Sequence, residues 1–303
     1  MSSLTAMPMR FTVLARDIKL SHSVFALPFA LLAAVAAAVE AGKQLIWPAM
    51  LLIVVCMVLA RPVAMTVNRW ADADLDRLNP RTTERAVPSG VLSPGFMLST
   101  AIFCGFGFIA AASGFWVLDD NFYPVLLSPL VLAWLVGYSF TKRFTWLCHV
   151  FLGAALAISP LAAAIAIAPE YLARADAWLL AAMVLCWVAG FDVIYALQDI
   201  EPDRRIGIRS MPANLGAEPA LWVSRALHLA CLAALFAFAL HCRMMGTAFF
   251  ICSCIVAGLL VLEHALVWGS KTHRIHIAFF TVNGIISLLL GAARIFDALR
   301  STG

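Results

Sequence analysis

The sequence predicts an all-α integral membrane protein of about nine transmembrane helices, and three observations lead there. Of its 303 residues, 63% are hydrophobic and only 13% charged, where soluble domains carry roughly 25% charged residues. Apolar runs of about 20 residues, enough for a helix to cross a ~30 Å hydrocarbon core, recur from Ser23 nearly to the C-terminus. The 21 Lys and Arg residues gather in alternate connections between those runs, the pattern of a positive-inside bias.

The first stretch, Met1 to Lys19, is comparatively polar and basic. It lacks a small-residue cleavage site behind a short apolar core, so it does not read as a signal peptide. Nine apolar segments follow, at approximately 22–40, 45–67, 95–117, 122–140, 145–167, 177–197, 219–241, 246–268 and 276–297. With the N-terminus in the cytoplasm, only Lys43, Arg174, Arg243, Arg294 and Arg300 fall on the outer side. The outer connections are short. Those after the second and sixth segments, 68–94 and 199–218, are long and predict cytoplasmic cap loops over a central cavity rather than a soluble domain. Residues 1–303 are thus expected to form one transmembrane domain. The eight cysteines include no C-x-x-C pair, which predicts buried thiols at helix interfaces rather than a metal or redox site.

Carboxylates are scarce here and costly to desolvate, yet Asp72, Asp74 and Asp76 stand together, as do Asp192, Asp199, Glu201 and Asp203. One offset carries Asn68 to Tyr195, Asp72 to Asp199, Asp76 to Asp203 and Arg77 to Arg204. It predicts two pseudo-repeated four-helix units plus a ninth helix, with the site at the repeat interface. Helical spacing puts Asn68, Asp72 and Asp76 on one face and turns Asp74 away; Asp192, Tyr195, Asp199 and Asp203 stack on another. Pro202 lacks a donor and crowds the preceding turn, which predicts a kink or a helix end just before Asp203.

Carboxylates on two facing helices form a hard-oxygen cage that repels itself without a cation. Around it lie Arg77, Arg81, Arg85, Lys142, Arg143, Arg204, Arg205 and Arg209, a ring suited to diphosphate oxygens, unless membrane topology alone places them. Arg61 lies roughly 10 Å deeper than Asn68 on nearly the same face. Such an intramembrane charge points to function: binding diphosphate, pairing with Asp192, or receiving an acidic acceptor. His22 is a further acceptor candidate, and snorkelling to the headgroups explains Lys19.

At these residues the chain resembles the UbiA superfamily of intramembrane aromatic prenyltransferases. The paired signature is Asn68-x3-Asp72-x3-Asp76 with Asp192-x2-Tyr195-x3-Asp199-x3-Asp203. The stretch Asn79-Pro80-Arg81-Thr82 to Gly90, Tyr138 with Lys142-Arg143, and Gly207-x-x-Ser210 add to it. The likeness covers nearly the whole chain and is closest to the 4-hydroxybenzoate polyprenyltransferase-like group. Phe191 to Asp199 and Arg61-x6-Asn68-Arg69 resemble the branch linked to menaquinone made by the futalosine route. Arg69, where many relatives carry Asp, departs from the pattern, as does Pro202.

The resemblance implies Mg²⁺ ions bridging a polyprenyl diphosphate to Asn68, Asp72, Asp76, Asp199 and Asp203, with Arg81, Arg85, Lys142 and Arg143 on the diphosphate. An allylic cation forms beside Tyr195, and an aromatic acid attacks it; Asp192 orients either Tyr195 or that acceptor. The acceptor implied is 1,4-dihydroxy-6-naphthoate, with 4-hydroxybenzoate, as in ubiquinone synthesis, the alternative. The polyprenyl tail is expected to lie between the helices, open to membrane lipid. No nucleic-acid or obligate protein partner is expected, and the location is the cell inner membrane with the site toward the cytoplasm. An ion-coupled secondary transporter also explains Asp192 and Arg61, but not carboxylates at helical spacing under phosphate-type cations.

Overall fold

The computed structural model describes residues 3–19, 25–44, 46–242, 246–268 and 274–301. Among these residues there is helix and turn but no strand. The order is α1 (Ser3–Asp17), α2 (Leu27–Glu40), α3 (Trp47–Ala71), α4 (Ala73–Leu78), α5 (Pro94–Asp119), α6 (Tyr123–Thr141) and α7 (Cys148–Ile167). Then come α8 (Ala175–Ala196), α9 (Ile200–Ile206), α10 (Met211–Leu215), α11 (Ala217–His241), α12 (Thr247–Leu266), a π-helix (Ile277–Val282) and α13 (Asn283–Ser301).

Each of the nine apolar segments carries a helix. Seven are long and apolar enough to cross a membrane, α8 and α9 counting as one span; Leu27–Glu40 and Ile277–Ala293 are shorter. Trp47, Phe103, Val117 and Leu240 stand more than three-quarters exposed, as side chains facing lipid do. The chain is therefore a multi-pass membrane protein.

The interior is organised around α8, the most buried span. Trp187, Val184, Val188, Val193 and Ile194 on it are fully buried. The alanine-rich faces of α2 and α7 pack together, since small residues let membrane helices approach closely. At Gly153 α7 lies close against α8: a Cβ there would meet the Leu185 carbonyl oxygen at 2.4 Å. One arrangement occurs twice: α3 packs on α5, the helix beyond its long loop, and α8 packs likewise on α11. No disulfide joins any of the eight cysteines among the described residues.

Two features lie outside the nine-segment pattern. α1 crosses the first long loop, burying Leu14 and Ile18 against Ala73, Ala86, Val87, Leu92 and Met97. The last segment opens with the π-helix, where the Asn283 side chain donates to the Ala278 and Phe279 carbonyls at 3.1 and 3.2 Å.

Candidate active site at the joined helix ends

The two motifs meet at one end of the bundle, each at the C-terminus of its helix. Asp72 caps α3, and the i to i−4 backbone bonds continue through it, from Asp72 to Asn68 and from Asp76 to Asp72. That continuity holds Asn68, Asp72 and Asp76 on a common face. Asp74 points outward and pairs with Arg77 at 2.9 Å. In the second motif the break falls at Leu197–Asp199, which tightens to a 3-10 turn, and not before Asp203 as Pro202 predicts. Pro202 sits in the first turn of α9, where a missing donor costs nothing. α9 runs on through Asp203 until Gly207, at φ 81, ends it. Asp203 stays buried and accepts from Ser210 Oγ at 2.7 Å.

Helix C-termini carry the negative end of the dipole, so carboxylates at both create a demand for cations. Basic side chains meet it. Lys142 donates to Asp72 Oδ2, while Arg143 Nη2 lies 3.6 Å from Asp72 Oδ1 and donates to the Ala71 carbonyl at 2.6 Å. Arg85 reaches both Asp76 oxygens at 2.8 and 2.9 Å. Arg81 crosses from the first loop to the second motif: Nε meets Asp199 Oδ1 at 2.9 Å, Nη2 meets Oδ2 at 2.5 Å, and Nη1 donates to the Tyr195 hydroxyl at 3.0 Å. Partial burial opposes the Arg81 charge, but the bonds to Asp199 and Tyr195 outweigh it and raise its pKa above the ordinary value.

Asn79 was missed as a site residue; its amide also donates to Asp199 Oδ1 at 3.0 Å. Because the basic residues take the carboxylates one by one, no three His, Cys, Asp or Glu side chains converge among the described residues. The wider cation ring is smaller than the sequence suggests: Arg77 pairs with Asp74, Arg204 donates to the Ala213 carbonyl, and Arg209 to that of Phe144.

Beneath this layer lies an apolar cavity of about 510 Å³ between α2, α3, α5, α6 and α7. Arg61 and Tyr138 line it, one or two turns below Asn68 and Lys142. Arg61 does not pair with Asp192, as one expectation had it. Its Nη2 donates to the Ile18 carbonyl at 3.1 Å, and its Nε is buried without a partner. Asp192 instead bonds His149 at 2.6 Å. The Tyr195 ring packs on Phe279 at 4.3 Å and Phe280 at 6.3 Å, two further site residues the sequence did not single out. His22 lies outside the described residues.

Lys19 is not simply reaching for headgroups. Its ammonium stands 4.4 Å over the Phe280 ring. Burial, and then Arg69, Arg85, Arg81 and Arg61, lower its pKa. Arg69 serves the framework: it pairs with Asp17 of α1 at 3.1 Å and donates to Asn68 Oδ1 at 3.2 Å, while Asp17 accepts the Ala86 N–H at 2.9 Å.

Comparison with known proteins agrees with this fold. A model of the UbiA prenyltransferase family matches residues 26–285. A solved UbiA homolog from Aeropyrum pernix K1 is 32% identical, with a TM-score of 0.82 over 92% of this chain and 98% of that one. The 4-hydroxybenzoate octaprenyltransferase of Aliivibrio fischeri MJ11 is 27% identical over 83% of this chain and 86% of its own length. A UbiA homolog from Archaeoglobus fulgidus, solved with DMAPP and Mg²⁺, shares the fold at 17% identity and a TM-score of 0.70, over 94% of this chain and 98% of that one. The chain belongs to the UbiA prenyltransferase family and is a membrane-embedded prenyltransferase.

Proposed function

We propose that the protein transfers a polyprenyl group from a polyprenyl diphosphate to a ring carbon of 4-hydroxybenzoate, with Mg²⁺ at the joined helix ends. The observation that carries this reading is the meeting of two carboxylate-bearing helix C-termini under Lys and Arg, directly above an apolar cavity. The donor set fits the metal: Asn68, Asp72, Asp76, Asp199 and Asp203 offer only hard oxygens, and Asp72 Oδ1 is buried without a hydrogen-bond partner. Those five residues would hold it, and bound Mg²⁺ supplies neutralisation of the diphosphate as it leaves.

The chain's own groups do the rest. Lys142, Arg143, Arg81 and Arg85 exchange carboxylates for diphosphate oxygens, an exchange that favours the anion wherever the carboxylates are otherwise neutralised. The allylic C–O bond breaks with its electron pair going to the diphosphate. Tyr195, backed by Phe279, presents its π face to the allylic carbon. Arg61 meets the acceptor carboxylate with its unpartnered Nε. The ring carbon forms the new C–C bond and gives up its proton to the released diphosphate. The cavity, lined by Ile53, Met57, Phe108 and Leu156 among others, takes the tail. The basic loops beside the joined ends support a site that faces the cytoplasm from the inner membrane.

The relatives named 4-hydroxybenzoate octaprenyltransferase support the benzoate. A second reading, 1,4-dihydroxy-6-naphthoate, rests on Phe191 to Asp199 and Arg61-x6-Asn68-Arg69. Purified protein in nanodiscs, given Mg²⁺, a polyprenyl diphosphate and each acid in turn, separates them by mass spectrometry. A prenylated benzoate alone supports the first reading, and a naphthoate product alone replaces it with the second. No product from either acid overturns both.

A further inference from the structure

Unlike Asp72, Asp76 and Asp199, the Asp192 carboxylate is held by a histidine rather than by Arg or Lys. His149 Nδ1 lies 2.6 Å from Asp192 Oδ2, and the backbone N–H of Met211 donates to His149 Nε2 at 3.2 Å. A ring nitrogen that accepts an N–H carries no proton, so the proton sits on Nδ1 and is donated to Asp192. The geometry thus fixes one neutral tautomer. Met211 follows Ser210, the residue that donates to Asp203, so the same short segment steadies both carboxylates.

His149 is only 3% exposed, whereas the Asp192 side chain keeps 22% of its surface. α8 is enclosed by α2, α7, α11 and the π-helix. That exposure therefore opens into the bundle rather than to lipid, where a carboxylate would be costly. By the offset between the motifs, Asp192 corresponds to Met65, one turn from Arg61 and below the diphosphate level.

Resting on the aromatic-acid reading above, we propose that His149 is a positioning residue for the acceptor. As the Nδ1–H tautomer it holds one Asp192 oxygen, leaving the other to receive the acceptor's phenolic O–H while Arg61 takes its carboxylate. A hydroxyl hydrogen-bonded to a carboxylate pushes electron density into the ring that attacks. His149 acts only through Asp192.

The test compares His149→Leu, His149→Gln and Asp192→Asn in the prenylation assay, each checked for a wild-type elution profile and melting curve. His149→Leu should lower kcat/KM for the acid by about 10- to 100-fold, the worth of a hydrogen bond to a charged group, and leave the diphosphate KM unchanged. Glutamine also offers an N–H donor and an acceptor oxygen, so His149→Gln should recover to within about threefold of wild type. Adding His149→Leu to Asp192→Asn should cost nothing more. Wild-type kinetics in His149→Leu, a His149→Gln variant as impaired as His149→Leu, or losses that multiply with Asp192→Asn would each overturn the proposal. If His149→Leu does not fold, the glutamine variant and Asp192→Asn decide it. A wild type that prenylates no aromatic acid removes the underlying function reading and this inference with it.

Discussion

Asp72 has no exposed surface, sits at the unfavourable end of a helix dipole, and is neutralised by two cations from the turn after α6. Nothing in helix stability calls for a carboxylate there; a cation or an anion-bound cation does. Replacing it, or Asp199, with alanine is expected to lower turnover by roughly 100-fold or more through loss of charge stabilisation, with the melting curve little changed; steady-state kinetics on folded variants check this. Arg81→Lys keeps the charge but loses the fork that spans both Asp199 oxygens and Tyr195. It should raise the diphosphate KM by about 10-fold, measured by titrating the donor at saturating acceptor. Helical spacing was enough to separate Asp74 from Asp72 and Asp76 in the sequence. It was not enough to find partners: Asp192 meets His149 from a different helix 43 residues away, and no local pattern records such a meeting.

Elements were legible where hydrophobicity has a period or a run, and obscure where a few polar contacts decide. All nine apolar segments are helical, yet the turn at Leu197–Asp199 was assigned to Pro202 instead. Proline breaks a helix interior but suits its first turn, and the sequence alone does not say which it occupies. The π-helix was invisible because it depends on Asn283, which donates to Glu263 at 2.9 Å and accepts from Trp187 at 2.6 Å across three helices. α1 was read only as a comparatively polar, basic stretch. Its role comes from Asp17, which joins buried Arg69 to the Ala86 backbone. Asp17→Ala should strand that guanidinium and cost about 3 kcal/mol, seen as a lower melting temperature with the acceptor KM preserved.

For the whole molecule, composition and segment length gave the class, and the constant offset between motifs anticipated that two distant helix ends meet. The cavity and the lateral packing of α2, α3, α5, α6 and α7 around it were not readable in detail, because they depend on which alanine and glycine faces pair. The central claim is that the two ends form one metal–diphosphate site rather than two. Mn²⁺ binding to the purified protein, followed by electron paramagnetic resonance with and without a polyprenyl diphosphate, tests it most directly. The account predicts that diphosphate tightens Mn²⁺ binding, and that Asp72→Ala and Asp199→Ala each abolish that tightening, the double variant losing no more than either. Tightening that survives one substitution, or losses that add independently, would contradict it.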